Sequence, residues 1–262
     1  MALERPLPGA LSPSRLQDFQ SCPRRFQHAS IDRIPQPATY ATLKGTFVHH
    51  VFESLFNSEA PDRTMALAES FIPAAEAAVL TDQNVDDVGL TDDKRAQLID
   101  ETRRIIETYF QMEQPSQIVT EGVELRLSET VDGVPMLGIL DRLDREADGE
   151  LTIVDYKTGS LPNRDYDAKT FANAELYAAL CESSLGERPT SIRLLYVTHG
   201  QAIERTVTEP VLRARRSGAA NAWRKINQYY EAGSFPATPS RSACRFCPYT
   251  DLCRANGVAV AV

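Results

Sequence analysis

The sequence contains no apolar run long enough to cross a bilayer. Its first residues, MALERPLPGALSPSRL, lack the basic start and the apolar core of a secretory signal peptide. We find neither an internal repeat nor a low-complexity segment. These absences argue against membrane, secreted and repeat proteins. They favour a cytoplasmic globular protein whose 262 residues suffice for one large domain or two small ones.

Cysteine is also scarce, with five residues in the chain. Because thiols stay reduced in the cytoplasm, such a small number argues against a disulfide framework and favours metal or cluster ligation. Cys181 lies in LYAALCESSLG, on an apolar helical face, and is predicted to be a buried thiol. Cys244, Cys247 and Cys253 are close enough in RSACRFCPYTDLC to share one site. Three thiolates leave such a site one ligand short.

The net charge of −8 has the wrong sign for a protein that binds nucleic acid, but the charge is unevenly distributed. Residues 51–110 hold thirteen acidic and five basic side chains, which accounts for the whole excess. Residues 211–254 hold eight basic and two acidic ones, interleaved with aromatic rings. This stretch is either a solvated helix face or a surface that follows a phosphate backbone.

Apolar spacing and capping residues predict a helical first part. The segment LSPSRLQDFQSCPRRF predicts a helix opened by Ser12 or Ser14, and a second helix is predicted from about Leu43 to Phe56. Two acidic amphipathic helices are expected near 62–80 and 91–112, separated by the turn-rich TDQNVDDVG.

The apolar period then changes from that of a helix to that of a strand. Asp132-Gly133 and Asp148-Gly149 are hairpin-turn signals, so we predict a three-stranded antiparallel meander. Its strands cover about 118–130, 134–147 and 151–157. The remaining elements are expected in the order helix, strand, strand and helix, near 167–185, 191–199, 203–208 and 209–231.

Three charged residues are expected to lie together on the meander. Asp155 and Lys157 project from one face of the third strand, and antiparallel pairing can bring Asp141 beside Asp155. Two carboxylates with a lysine are typical of Mg²⁺-assisted phosphodiester cleavage, although surface strands also carry such residues for solubility. Glu124 and Asp144 are expected to be salt-bridge or surface groups.

The segments GILDRLD and IVDYKTG resemble the PD-(D/E)xK nuclease superfamily, in particular its RecB-type branch. That branch includes the AddB subunit nuclease and the CRISPR-associated adaptation exonucleases. Three further stretches, SRLQDFQSCPRRF, GTFVHHVFE and CRFCPYTDLC, resemble segments of the same branch. The resemblance covers about residues 12–254.

The resemblance implies a metal-dependent active site. Asp141 and Asp155 would be metal-binding carboxylates for Mg²⁺ or Mn²⁺, Lys157 the catalytic lysine and His49 a further metal ligand, with Glu53 one turn on. His50 is the rival histidine, but the spacing from Gly45 favours His49. Where the family has Gln-x-x-x-Tyr, this chain has Asn173 and Tyr177, so Tyr177 is carried over as a catalytic-site residue and the reach of Asn173 is in question.

The same resemblance makes Cys22 the missing fourth thiolate beside Cys244, Cys247 and Cys253. A 4Fe–4S cluster is favoured, with a Cys₄ zinc site as the alternative. Such a cluster would close a loop spanning nearly the whole chain and would act as a structural clamp. Arginines that flank the four cysteines would give the clamp a basic rim toward DNA.

We therefore predict an α/β (α+β) fold with a restriction-endonuclease-like core, in which helices flank a mixed central sheet. A single nuclease domain over 1–262 would comprise N-terminal helices (11–57), an acidic helical insertion (58–115), the catalytic core (116–210) and a basic helix with a cluster-binding tail (211–254). The expected activity is that of a DNA exonuclease in recombination or repair, with a helicase as one candidate partner. The alternatives are a non-catalytic module that binds DNA or a helicase, and an RNA-processing enzyme.

Overall fold

The computed structural model describes residues 5–162 and 170–260. Five strands form one sheet in the order β1–β2–β3–β4–β5. They are β1 Val119–Val131, β2 Val134–Arg145, β3 Leu151–Lys157, β4 Ser191–Tyr196 and β5 Gln201–Thr206. β3 pairs antiparallel with β2 and parallel with β4, and β4 pairs antiparallel with β5. The predicted α/β class with a mixed sheet is confirmed.

The helices occupy most of the remaining described residues. They are α1 Pro13–Ser21, α2 Pro23–Phe26, α3 Tyr40–Phe56, α4 Met65–Ser70, α5 Ile72–Val79, α6 Asp82–Val88, α7 Asp92–Met112, α8 Ala172–Leu185, α9 Glu209–Glu231, α10 Arg241–Cys244 and α11 Thr250–Ala255. The helix predicted over 167–185 contains α8, and its first residues, 167–169, lie outside the described residues. In the described ranges, no helix has the length and apolarity that a bilayer crossing demands.

The segment TDQNVDDVG is helical, so the prediction of a turn-rich spacer was wrong. The Thr81 side chain caps α6 by accepting a hydrogen bond from the Asn84 backbone. Gly89 ends the helix in the left-handed conformation, with φ of 59°. Threonine and glycine therefore act here as the two caps of a short helix rather than as loop residues.

The chain forms two compact units. The terminal unit consists of the described residues of Met1–Gln36, Leu127–Gly138 and Glu209–Val262, and the central unit consists of those of Pro37–Arg126 and Ile139–Thr208. The four-segment organisation predicted above stays a prediction.

The central unit has a core formed by helices and strands together. Apolar side chains of α3, α4, α5 and α7 pack with Val154 and Tyr156 of β3 and Leu195 of β4. α3 contributes most of its length to this core, including Phe47, Val51 and five further apolar residues. A helix buried so extensively against β3 holds its remaining face next to the end of that strand.

In the terminal unit, aromatic rings join the start of the chain to its end. The Phe26 ring lies 5.8 Å from that of Phe19 and 5.7 Å from that of Phe235. The Tyr229 ring of α9 contacts Phe235 at 5.7 Å. This packing fixes α1 and α2 beside the C-terminal segment.

Candidate metal centre and cysteine cluster

Three elements of the central unit converge on one group of potential metal ligands. α3 supplies His49, β1 supplies Glu124 and β2 supplies Asp141, and one ligand atom of each lies within 4.8 Å of the others. No other histidine, cysteine, aspartate or glutamate group of this size is as close-packed in the described part of the chain. His50, the rival histidine, lies outside the group.

A backbone contact orients the His49 ring. Its Nε2 atom lies 3.0 Å from the Tyr156 carbonyl oxygen, which can only accept a hydrogen bond. Nε2 therefore carries the proton, and the lone pair of the neutral ring is on Nδ1. That Nδ1 atom is 3.6 Å from Asp141 Oδ1. A histidine held in this way presents a free nitrogen toward the carboxylates, as metal-binding histidines do.

The end of β3 places Asp155 and Lys157 beside this group. The Lys157 Nζ atom is 2.5 Å from Asp155 Oδ2. Asp141 accepts a hydrogen bond of 2.8 Å from the Tyr156 backbone N–H, which holds its carboxylate against β3. Asp155 is not a member of the tight group of three, and its carboxylate pairs with the ammonium of Lys157.

Burial and mutual repulsion raise the proton affinity of these acids. Burial, and then the charge of Asp155, raise the pKa of Asp141 to about 6. Burial, followed by the charges of Asp141 and Glu53, raises the pKa of Glu124. Such crowding of carboxylates is unfavourable alone and becomes favourable beside a divalent cation. Oxygen donors with one imidazole nitrogen suit Mg²⁺ or Mn²⁺, so these residues fit the predicted ion.

Lys157 stays protonated in this setting. Its burial lowers the pKa, but the carboxylates of Asp155 and Asp141 outweigh burial and the pKa of Lys157 is raised overall. Near neutral pH the side chain is therefore a cation and a hydrogen-bond donor, and it is not available as a base.

Tyr177 of α8 faces the same acids. Burial, then the charges of Asp155, Asp141 and Glu124, raise the pKa of the Tyr177 phenol to about 12. Asn173 lies one turn earlier in α8 and is half-buried. The structure thus groups His49, Asp141, Asp155, Lys157 and Tyr177, all of which were predicted as site residues.

Glu124 is the residue of this group that sequence reasoning missed. We expected a salt-bridge or surface group, whereas its carboxylate lies with His49 and Asp141. The backbone of Glu124 has φ of 44°, which is rare for a non-glycine residue and breaks the alternation of β1. Asp144, in contrast, is in the expected salt bridge.

A buried arginine lies on the opposite face of the two site strands. Arg142 is fully buried and contacts Asp144 at 2.8 Å and Glu113 at 2.9 Å. It also donates hydrogen bonds to the hydroxyls of Tyr156, at 2.7 Å, and Tyr109, at 3.0 Å. Because Arg142 follows Asp141 and Tyr156 follows Asp155, this network joins β2 to β3 directly behind the two carboxylates.

The four predicted cluster cysteines lie together in the terminal unit. Cys22, Cys244, Cys247 and Cys253 all line one cavity. Cys22 precedes α2, Cys244 ends α10 and Cys253 lies in α11, so short helices set their positions. Cys181 is instead buried in α8 of the central unit, as predicted.

The surroundings shift the pKa values of two of these thiols in opposite directions. Burial alone would raise the pKa of Cys22, but backbone hydrogen bonds, led by that from Thr238, outweigh it and lower the pKa. Burial, followed by the charges of Cys247, Cys22 and Cys244, raises the pKa of Cys253. A bound metal or cluster would relieve this repulsion between thiolates.

Two kinds of occupant would space the four thiolates differently. With Zn–S bonds of about 2.3 Å, the sulfurs of a tetrahedral zinc site are roughly 3.8 Å apart. Within residues 5–162 and 170–260, no three cysteine sulfurs lie within 4.8 Å of one another. An iron–sulfur cluster binds each thiolate to a different iron and therefore spaces them more widely.

The chain is similar to several known proteins. The gene 69 protein of Mycobacterium phage D29 is 22% identical over 263 aligned residues, which cover 92% of this chain and 95% of that protein. One subunit of an ATP-dependent helicase/deoxyribonuclease from Streptococcus agalactiae serotype Ia is 29% identical over 137 residues. That match covers 49% of this chain and only 12% of the longer Streptococcus protein.

A solved structure and a family model cover nearly the whole chain. The crystal structure of a protein from Eubacterium rectale, described as a candidate exonuclease, has a TM-score of 0.63 at 14% identity and covers 97% of this chain and 90% of its own. This likeness shows a shared fold. The family model of the PD-(D/E)XK nuclease superfamily matches residues 10–254, a range that contains the carboxylates, the lysine and all four clustered cysteines. The chain therefore belongs to the PD-(D/E)XK nuclease superfamily.

Proposed function

We propose that this chain is a metal-dependent deoxyribonuclease, and more narrowly an exonuclease on single-stranded or end-opened DNA in cytoplasmic recombination or repair. The observation that carries the proposal is the convergence of His49, Glu124 and Asp141 beside the Asp155–Lys157 pair. Superfamily membership supports phosphodiester hydrolysis. The names of the relatives support DNA and exonuclease action.

The side chains divide the chemical work. His49, Asp141 and Asp155, with Glu124 in addition, would hold Mg²⁺ or Mn²⁺. When bound, such an ion polarises a phosphoryl oxygen and lowers the pKa of a water molecule. The cationic Lys157 donates hydrogen bonds to the phosphate or to the attacking water, and Asp155 orients its ammonium.

The decisive experiment compares near-isosteric variants. Asp155→Asn and Lys157→Met should each lower Mn²⁺-dependent degradation of end-labelled single-stranded DNA by at least about 100-fold. Asp148→Asn, in the exposed turn between β2 and β3, is the matched control and should keep the wild-type rate. Wild-type rates in both site variants would mean that the reaction occurs elsewhere.

Two other functions give different outcomes in the same assay. A non-catalytic module of this fold would bind labelled DNA and leave it intact with either metal. An RNA-processing enzyme would degrade an RNA of the same sequence faster than the DNA. If duplex DNA is degraded only when a helicase opens it, a helicase partner is required, as the name of the Streptococcus relative suggests.

We also propose that Cys22, Cys244, Cys247 and Cys253 hold a 4Fe–4S cluster with a structural role. Its support is the shared cavity and the wide spacing of the thiols. Anaerobically purified protein should contain iron and sulfide and absorb broadly near ~400 nm. Cys253→Ala should lose the iron and melt at a lower temperature, whereas Cys181→Ala should keep it. A colourless wild-type protein with one zinc ion per chain would contradict this assignment.

A further inference from the structure

The chain carries an exposed aromatic ring between two of the clustered cysteines. Cys244-Arg245-Phe246-Cys247 is a tight turn closed by a hydrogen bond of 3.1 Å from the Cys247 N–H to the Cys244 carbonyl oxygen. Phe246 is 79% exposed, the highest value for a large apolar side chain in the described residues. We call Arg245 and Phe246 the turn tip.

The packing of the fold does not explain this ring. The next most exposed large apolar side chain is Val119 at 62%, and the others lie between 36% and 46%. The aromatic neighbours in the same unit, Phe235 and Tyr249, are both buried. A single exposed apolar side chain is common on protein surfaces, so this ring becomes informative only together with the charges beside it.

The charge around the ring indicates the kind of ligand. The guanidinium of Arg245 lies over the Phe246 ring, 5.1 Å from its centroid. Neither Arg245 nor Arg241 has an acidic partner among residues 5–162 and 170–260, whereas the nearby Arg254 is paired with Asp251. Two arginines without acidic partners, beside one exposed ring, would suit a polyanion that also carries flat apolar groups.

The area of the turn tip distinguishes between a protein partner and a single-stranded nucleic acid. One ring at the end of a turn contributes far less surface than the roughly 1,000 Å² that a specific protein interface needs. A nucleobase has about the size of the ring, and aromatic stacking with nearby arginine charge is how single strands are commonly held.

We propose that the turn tip is a base-stacking element, in which Phe246 stacks on an unpaired nucleobase while Arg241 and Arg245 contact the adjacent phosphates. This inference rests on the proposed nuclease function, because it states how the single-stranded substrate is gripped. Duplex DNA, whose bases are already stacked, depends less on the ring.

The test measures binding without cleavage, with the anaerobically purified full chain in EDTA and a fluorescein-labelled oligothymidine. Phe246→Ala should weaken binding by about 5- to 150-fold, as expected for loss of one stacked base. Phe246→Leu keeps apolar bulk without a flat ring and should weaken it similarly, whereas Phe246→Trp should bind like wild type. Leu185→Ala, at a 46% exposed leucine of the central unit, is the control and should not change the affinity.

A second readout does not depend on a loss of binding. Phe246→Trp adds a tryptophan to the single native Trp223, and oligothymidine should quench its emission beyond the wild-type change. Absence of extra quenching, wild-type affinity of Phe246→Ala, or wild-type affinity of Phe246→Leu would each overturn the stacking role. If the wild type degrades DNA while the Phe246 variants bind normally, only this inference fails. If the wild type neither binds nor degrades DNA, the proposed function fails with it.

Discussion

Replacing Arg142 with methionine should destabilise the central unit severely. The guanidinium is fully buried and is shared by Asp144, Glu113, Tyr109 and Tyr156 at 2.7 to 3.1 Å. Methionine fills much of the volume but leaves the buried Asp144 without its cation, and Glu113 keeps only its 3.8 Å ion pair with Arg193. Breaking a buried pair in this way costs about 3–5 kcal/mol of unfolding free energy. For a chain of this size, that corresponds to a fall in melting temperature of roughly 6–20 °C.

The neighbouring Arg145 provides a matched control for this experiment. It lies three residues further along β2 and makes ion pairs with Glu121 and Glu187, but it is partly exposed. Solvent screens such pairs, so Arg145→Met should melt close to wild type. Urea unfolding followed by circular dichroism measures both variants. An equal effect of the two substitutions would refute the claim that burial makes the Arg142 network important.

A compensating variant tests the mechanism of the loss. In the Arg142→Met background, Glu113→Gln with Asp144→Asn removes the two carboxylate charges that Arg142 had neutralised. Part of the lost stability should return, because no ionised carboxylate then remains buried beside the methionine. No recovery would indicate that lost packing, and not unpaired charge, dominates.

The metal centre and the buried thiol lead to four further predictions. Glu124→Gln should weaken Mn²⁺ binding about tenfold or more by calorimetry, whereas Glu121→Gln, at an exposed position of the same strand, should not. The pKa of Asp141 is raised to about 6, so a proton competes with the metal for this carboxylate below pH 6. Mn²⁺ affinity should therefore fall by up to about tenfold for each pH unit below 6. An affinity that does not change between about pH 5 and 7 would exclude Asp141 as a ligand. For the metal-free protein, the raised pKa means that Asp141 contributes stability that is fully present below its ordinary pKa of 3.8 and is lost as pH rises through about 6. Burial raises the pKa of Cys181 to about 12, so at pH 8 a thiol reagent should label it only after unfolding.

The sequence was most informative where side chains alternate regularly. The Asp-Gly turns and alternating apolar residues located the three meander strands to within about two residues of β1, β2 and β3. The same parity predicted that Asp155 and Lys157 share a face, and their 2.5 Å contact agrees. Local periodicity was therefore enough to predict the three strands of the meander and the shared face of Asp155 and Lys157.

Residues joined over long sequence distances needed more than local pattern. Cys22 and Cys244 come from opposite ends of the chain, and no periodicity relates them. Only the resemblance placed them in one site, and the cavity that they share agrees with it. Alternation along β2 likewise places Arg142 on the face opposite to Asp141. The sequence around Arg142 does not show that this face is buried, because the partners that neutralise the arginine include the distant Glu113.

Glu124 shows most clearly why part of the site escaped prediction. Parity assumes an extended backbone, and the left-handed conformation of Glu124 violates that assumption. A left-handed non-glycine residue costs about 1–2 kcal/mol, and burial beside Asp141 and Glu53 adds a further cost. A cation whose free concentration is 100 times its dissociation constant stabilises the folded chain by about 2.7 kcal/mol, which is similar to the backbone cost. The unfavourable conformation of Glu124 is therefore best understood through the ion that its carboxylate would help to bind.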